Sequence, residues 1–194
     1  MSPRKSASQE LTKEMIIKEA RFQFLEKDFH QVSMRSIAKN LDCSHGALYY
    51  HFNNKAELFY AIIEDYFSTL NKLLEEVVHG PGENHEKLHD VFLRFIQFGL
   101  NHQSQYELMF MIRNTEVDSL SQEAANLSYQ KFAQTVQSLT PKDLKVSNIY
   151  SAFIALHGFV AHYRKYVNRF EEAEEAAKLH VEFIIHALST TAQL

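Results

Sequence analysis

Arg35, Ser44, His45, Gly46, Ala47, Tyr49, Tyr50, His51 and Lys55 lie close together in one short stretch of the chain. Guanidinium, ammonium, imidazole, phenol and hydroxyl groups are the donors that bond phosphate oxygens and the edges of bases. The chain has no Gly-rich phosphate loop, no Gly-x-Ser-x-Gly elbow and no His-Glu-x-x-His run, and its acidic residues are spread over solvated faces. The expectation is therefore a binding surface and not an enzyme.

Two short helices must position these side chains. Ser33 is suited to cap the first, and Met34, Ile37, Ala38 and Leu41 recur at spacings of three and four, forming one buried stripe. Leu41-Asp42-Cys43 breaks the pattern. Ser44 is suited to cap a second helix, His45 to His51, with Leu48 and Phe52 facing inward. Two turns of helix are not stable alone, so a longer helix from about Leu11 to Lys27 must support them with Ile16, Ile17, Ala20 and Phe24, and Phe29 and Val32 must close the corner. Asn54 and Glu57 approximate a capping box that opens a long helix at Lys55. A helix start beside a lysine offers a seat for a phosphate. This is the pattern of a helix-turn-helix, whose second helix enters the major groove. Apolar stripes of this kind are also what an ordinary core produces, and Tyr49, Tyr50 and His51 taken singly would be unremarkable surface aromatics. The DNA reading rests on their joint register.

The run Ile37-Ala38, Ser44-x-Gly46-x-Leu48-Tyr49-x-His51-Phe52-x-x-Lys55 resembles the DNA-binding domain of TetR-family transcriptional regulators. Ile16-Ile17-x-x-Ala20-x-x-x-Phe24 and Phe29 fit the same pattern, so the likeness covers roughly residues 12 to 60. The resemblance implies a bacterial or archaeal one-component regulator with an all-α fold. It implies an N-terminal three-helix head with the helix-turn-helix, joined to a larger helical domain for ligand binding and dimerisation. Residues 1–53 would form the head, 1–9 of them a flexible arm, and residues 54–194 the body. Arg35 would reach a base or phosphate, and Ser44, His45, Gly46 and Ala47 would face bases and nearby backbone. Tyr49, His51 and Lys55 would bond phosphates, and Tyr50 would meet backbone or a thymine methyl. Two positions depart from the pattern: Asp28 and Asp42 stand where the family usually has glycine. Asp tolerates the left-handed conformation better than most residues, so the turn at Asp42 should survive.

Charge is distributed as a DNA binder requires, although the total is −4. Residues 1–58 hold nine Lys or Arg against seven Asp or Glu, a net of +2, and the remainder hold a net of −6. A weakly basic head predicts modest non-specific affinity. Arg4 and Lys5 sit in a tail that either reaches DNA or has no role. No apolar run is long enough to span a bilayer and the N-terminus lacks a signal-peptide core. A single cysteine, Cys43, excludes an internal disulfide and suits a reducing cytoplasm, the expected location; Cys43 itself is read as packing filler.

The body reads as helices throughout: Lys55 to about His79, ended by Gly80-Pro81-Gly82; about Glu86 to His102; a short apolar piece, Tyr106 to Arg113; and about Leu120 to Ser138. A helix capped at Thr140 with Pro141 in its first turn should run to about Val167, and a last one from about Glu171 to Thr190. The last two are expected to dimerise the protein. Phe95, Phe98, Met109, Phe110, Arg113, Phe132, Phe153, His157 and Tyr163 are candidates for the wall of a largely apolar effector pocket, and His162 is a further candidate for its polar end. The expected partners are a double-stranded, pseudo-palindromic DNA operator, a second copy of the chain and a small effector that releases a repressor, with no cofactor. Two alternatives stay open. A metal-responsive regulator of the same fold is suggested by His85 and His89, four apart on one helix face. A helical interaction module that has lost DNA binding is suggested by Asp42.

Overall fold

A computed structural model describes residues 10–27, 29–111, 118–141 and 144–191, with side chains left undescribed at 118–122 and 191. Among the described residues there are nine α-helices: α1 Lys13–Glu26, α2 Met34–Asn40, α3 His45–His51, α4 Lys55–His79, α5 Asn84–Asn101, α6 Gln103–Phe110, α7 Asp118–Leu139, α8 Val146–Tyr163 and α9 Glu174–Thr191. Short 3-10 turns precede α2 (Phe29–Gln31) and α9 (Phe170–Glu172). The chain divides into two compact units, with the boundary inside α4 between Ile63 and Glu64. Among the described residues no helix is long and apolar enough to cross a membrane.

The first unit is built as the apolar spacing requires. Ile16, Ala20 and Phe24 of α1, Ile37 and Ala38 of α2, and Leu48 of α3 are buried together with Leu58 and Ile62 of α4. Phe24, Phe29 and Phe59 form a ring triad with centroids 5.0–5.7 Å apart, a geometry that adds to the area each ring buries.

In the second unit α5, α8 and α9 pack against one another. Gly99 makes the closest α5–α8 contact: a Cβ there would lie 2.6 Å from a Val160 methyl and 3.1 Å from the Tyr106 ring. Two helix boundaries differ from expectation. Thr140 does not open α8; its hydroxyl donates to the Val136 carbonyl at 2.9 Å and so closes α7. α8 begins only at Val146, after Lys145 in extended conformation. It also stops at Tyr163, where a turn follows: Arg164 grips Glu107 of α6 by two bonds of 2.9 and 3.4 Å, and the Val167 carbonyl accepts from Gln103 at 2.8 Å. Lys142 and Asp143 lie outside the described residues.

Candidate nucleic-acid interface

Both short helices of the motif are capped by serines. Ser33 Oγ accepts from the Ser36 amide at 3.0 Å, and Ser36 Oγ in return accepts from the Ser33 amide at 3.2 Å. Ser44 Oγ accepts from the Ala47 amide at 3.1 Å. The turn between them is a Schellman motif. Cys43 N–H reaches back to the Ala38 carbonyl at 3.1 Å, and Asp42 N–H to the Lys39 carbonyl at 3.3 Å. That geometry needs a left-handed residue, and Asp42 supplies it at φ 51°, as the sequence led us to expect. Burial and the nearby Asp42 carboxylate push the Cys43 thiol up. A thiol kept protonated is a poor nucleophile, which fits a packing role.

A polar network missed in the sequence fixes α1 against α2. Ser36 Oγ donates to Gln23 Oε1, Gln23 Nε2 to Glu19 Oε1 and Asn40 Nδ2 to the same carboxylate oxygen, each at 2.7 Å. Gln23 is buried, so its amide needs those partners. The available signal was its place between Ala20 and Phe24 on the inward face of α1, where an apolar residue would be usual.

On this frame α3 buries Leu48 and presents its other faces. Tyr50 is 87% exposed and Tyr49 42%. Ser44, His45 and Gly46 are exposed, Ala47 and His51 half-buried. The His45 ring meets the edge of Tyr49 at 4.7 Å, and Tyr50 meets His51 at 5.3 Å. A Cβ on Gly46 would meet nothing nearer than Ser44 Oγ at 4.0 Å. The fold therefore does not need glycine there, and an incoming surface would have room. Arg35, exposed on α2, joins His45, Tyr49 and Lys55 around one open concavity of about 490 Å³. His30 and Ser33 complete its rim, and His30 is a lining residue the sequence pattern did not suggest.

Lys55 is placed differently from a free phosphate ligand. Its ammonium donates to the Phe29 carbonyl at 2.9 Å and sits 4.0 Å from the centre of the Phe29 ring. One of three N–H donors is used in that bond. The start of α4 is closed by Glu57, whose amide donates to Asn54 Oδ1 at 2.8 Å and whose carboxylate accepts from the Asn53 amide at 2.7 Å. The box thus closes on Asn53, one residue earlier than the spacing suggested. Asp28, Arg4 and Lys5 lie outside the described residues.

In the second unit, five of the candidate pocket residues form one aromatic cluster. Phe95, Phe132 and Phe153 meet pairwise at 5.5–5.8 Å. Phe110 joins Phe153 at 6.3 Å and His157 at 5.6 Å. Phe95 and Phe132 are fully packed, whereas Phe110, Phe153 and His157 keep some exposure. The remaining candidates lie apart or outside: Met109 is buried in α6, Phe98 packs on His102 at 5.0 Å, Tyr163 stacks on Phe159 at 4.3 Å, and Arg113 lies outside the described residues. His162 is exposed beside Tyr166. Tyr106 was missed: it is fully buried, and its hydroxyl lies 2.7 Å from His157 Nδ1. Burial pushes the Tyr106 hydroxyl well up and the His157 imidazole down, so both stay neutral. No group of three His, Cys, Asp or Glu able to hold a metal occurs among the described residues.

Comparison with known proteins places this architecture. The family model described as bacterial regulatory proteins, tetR family, matches residues 16–62, the segment containing the motif. The HTH-type transcriptional activator FasR of Mycolicibacterium smegmatis is 28% identical over 88 residues, covering 45% of this chain and 40% of that protein. The match thus spans less than half the length of that curated relative. Among solved structures, the fatty acid degradation regulator FadR from Bacillus halodurans superposes with TM-score 0.67 at 15% identity, covering 96% of each chain. FadR from Bacillus subtilis, solved in complex with stearoyl-CoA, superposes with TM-score 0.68 at 16% identity, covering 91% of this chain and 97% of the other. At such identities the superpositions carry the fold alone, whereas the match over residues 16–62 shows that this segment is similar to the DNA-binding head of bacterial regulators of the tetR family.

Proposed function

We propose that the chain is a dimeric, effector-responsive regulator that holds a pseudo-palindromic DNA operator with two copies of its helix-turn-helix. The carrying observation is α3 itself: capped at Ser44, anchored by Leu48, turning His45 and Tyr49 outward beside Arg35 and leaving Tyr50 exposed. Arg35 and His45 are assigned to base edges, and Tyr49, His51 and Lys55 to backbone phosphates.

A second copy docks on α8 and α9. Leu179 and Phe183 stand four apart on α9, 67% and 70% exposed, and Ile154 is exposed on α8. Gly158, four residues on from Ile154, has nothing within 4 Å of where its Cβ would be, so another helix can approach closely. Together they form an apolar face of the kind that marks a protein interface. Two heads then meet half-sites about 34–36 Å apart, one turn of duplex. Sedimentation at low micromolar concentration should find a dimer, and Phe183→Glu should shift it to monomer; a monomeric wild type would remove this part.

The effector is a small, largely apolar molecule, and the FadR complex with stearoyl-CoA makes a long acyl chain the first compound to try. Partly exposed Phe110, Phe153 and His157 would line its site. Phe110 also meets Phe67 of α4 edge-on at 5.2 Å. α4 runs unbroken from Phe67 to Lys55, so that helix is the proposed route by which a ligand that moves Phe110 would bias the head. A coupling of ~1–3 kcal/mol would weaken operator binding about 5- to 150-fold. The experiment is to select a preferred duplex with purified protein and repeat the binding with stearoyl-CoA present. Weaker binding supports effector-released repression. The naming of FasR as an activator favours a second mode, in which binding is kept or tightened by the effector.

A further inference from the structure

We propose that the buried Gln23 is a positioning residue for base recognition: with Glu19, Ser36 and Asn40 it fixes the frame from which Arg35 and α3 read a duplex. This deepens the DNA-binding reading above and rests on it.

The four side chains tie one turn of α1 to one turn of α2. Gln23 meets Ser36, Glu19 meets Asn40, and Gln23 closes on Glu19, each at 2.7 Å. Glu19 and Gln23 stand four apart on α1, and Ser36 and Asn40 four apart on α2, the spacing of side chains on one helix face. Sliding α2 by one residue would move it about 1.5 Å along its axis and turn it by about 100°. Neither tie survives that shift, because a hydrogen bond needs a short, nearly straight approach. Burial of Ile16, Ala20, Ile37 and Ala38 supplies attraction, but that attraction has no direction. The polar ties supply direction.

Both reading elements hang from α2. Arg35 directly precedes Ser36, and the turn into α3 is bonded to the Ala38 and Lys39 carbonyls, beside Asn40. Base edges are read by hydrogen bonds that fail when misplaced by a fraction of an ångström. Attraction to phosphates falls off slowly with distance. A displaced α2 therefore loses the first and keeps the second. The network is not needed to satisfy its other members. Ser36 Oγ also lies 2.8 Å from the Ser33 carbonyl, and Glu19 keeps Asn40. An apolar side chain of equal length at position 23 would leave neither orphaned. The role is thus register, a use to which interior polar groups are put in paired helices.

The test compares full-length wild type with Gln23→Met, methionine being unbranched and able to fill the same space. The probes are the duplex that wild type selects from a random library, single-base variants of it, and a mixed-sequence duplex. Circular dichroism checks folding. Affinity of Gln23→Met for the mixed-sequence duplex should stay within about twofold, while its preference for the selected duplex over the variants falls about tenfold, the scale of one base contact. Asn40→Asp sets like charge against Glu19 at the exposed tie and should lower the same preference. Glu19→Gln with Asn40→Asp restores a donor–acceptor pair of reversed polarity and should recover it, which a merely structural role would not produce. Should Gln23→Met lose helicity, the Asn40 variants decide. Full preference in a folded Gln23→Met would overturn the inference and leave DNA binding intact. Equal losses on every duplex would do the same, as would no recovery in the double variant. A wild type without preference for any duplex would sink the DNA reading together with this one.

Discussion

Replacing Asp42 separates backbone geometry from charge at the centre of the motif. Asp42 is the one non-glycine residue with positive φ among the described residues, at 51°. It holds the Schellman turn by donating to Lys39 and setting Cys43 to donate to Ala38. For a side chain with a Cβ and no local hydrogen-bonding group, the left-handed region costs roughly 1–2 kcal/mol, and Asp bears less of this than Ala. Asp42→Ala should therefore destabilise the α2–α3 turn by about 1 kcal/mol, Asp42→Asn should be near neutral, and Asp42→Gly should match or exceed the wild type. Amide hydrogen exchange of α2 and α3 is the suitable assay because it reads this unit without requiring the whole chain to unfold in two states. One kcal/mol appears as about fivefold faster exchange in Asp42→Ala. All three variants remove one negative charge from the DNA-facing unit. Each should therefore gain affinity for duplex at low salt, with the gain shrinking as salt screens it. Asp42→Ala exchanging as slowly as wild type would refute the geometric argument. A loss of duplex affinity in Asp42→Asn would refute the electrostatic one.

Further outcomes are expected at three other places. Lys55→Ala should weaken binding to all duplexes alike, reducing the salt slope by about one unit per site, and should also loosen the Phe29 corner that its ammonium holds; altered base preference with unchanged general affinity would contradict the phosphate assignment. Gly99→Ala should destabilise the second unit by about 1–3 kcal/mol, since its Cβ would press on the stiff Val160 side chain, and Gly99→Ala with Val160→Ala should recover part of the loss in a denaturant titration. Burial holds the His157 imidazole below its ordinary value of 6.5, so the unfolded chain binds more protons below that pH and stability falls on acidification. His157→Gln should lose less melting temperature than wild type between about pH 7.5 and pH 5.5, and an identical acid response would show that His157 does not titrate on unfolding.

The motif was legible because its signals are local. Ser33 and Ser44 cap within three residues, Leu48 and Phe52 are four apart, and Asp42 breaks a helical stripe where a left-handed residue must stand. The long helices could be read from the same periodicity. What escaped depends on pairs distant in sequence. Gln23 finds Ser36, and Tyr106 finds His157, only after the helices pack. His30 joins His45 because a turn folds back on α3. Thr140 misled because its hydroxyl can serve either helix beside it: an N-cap oxygen and a back-bond to the residue four earlier are alternative uses of one side chain. Of the pocket candidates, Phe95, Phe110, Phe132, Phe153 and His157 converge, but Phe98 and Tyr163 turn to other rings, since helical spacing names a face and not its neighbour.

The central claim is that two capped recognition helices, acting as a pair, discriminate between duplex sequences. Selection of a randomised duplex library with the purified protein, at near-physiological salt and with excess mixed-sequence competitor, tests it most directly. The account predicts enrichment of an inverted repeat whose half-site centres lie about 10 base pairs, or a multiple of that, apart, with Arg35→Ala relaxing preference at particular bases. A library that emerges as random as it entered would contradict it.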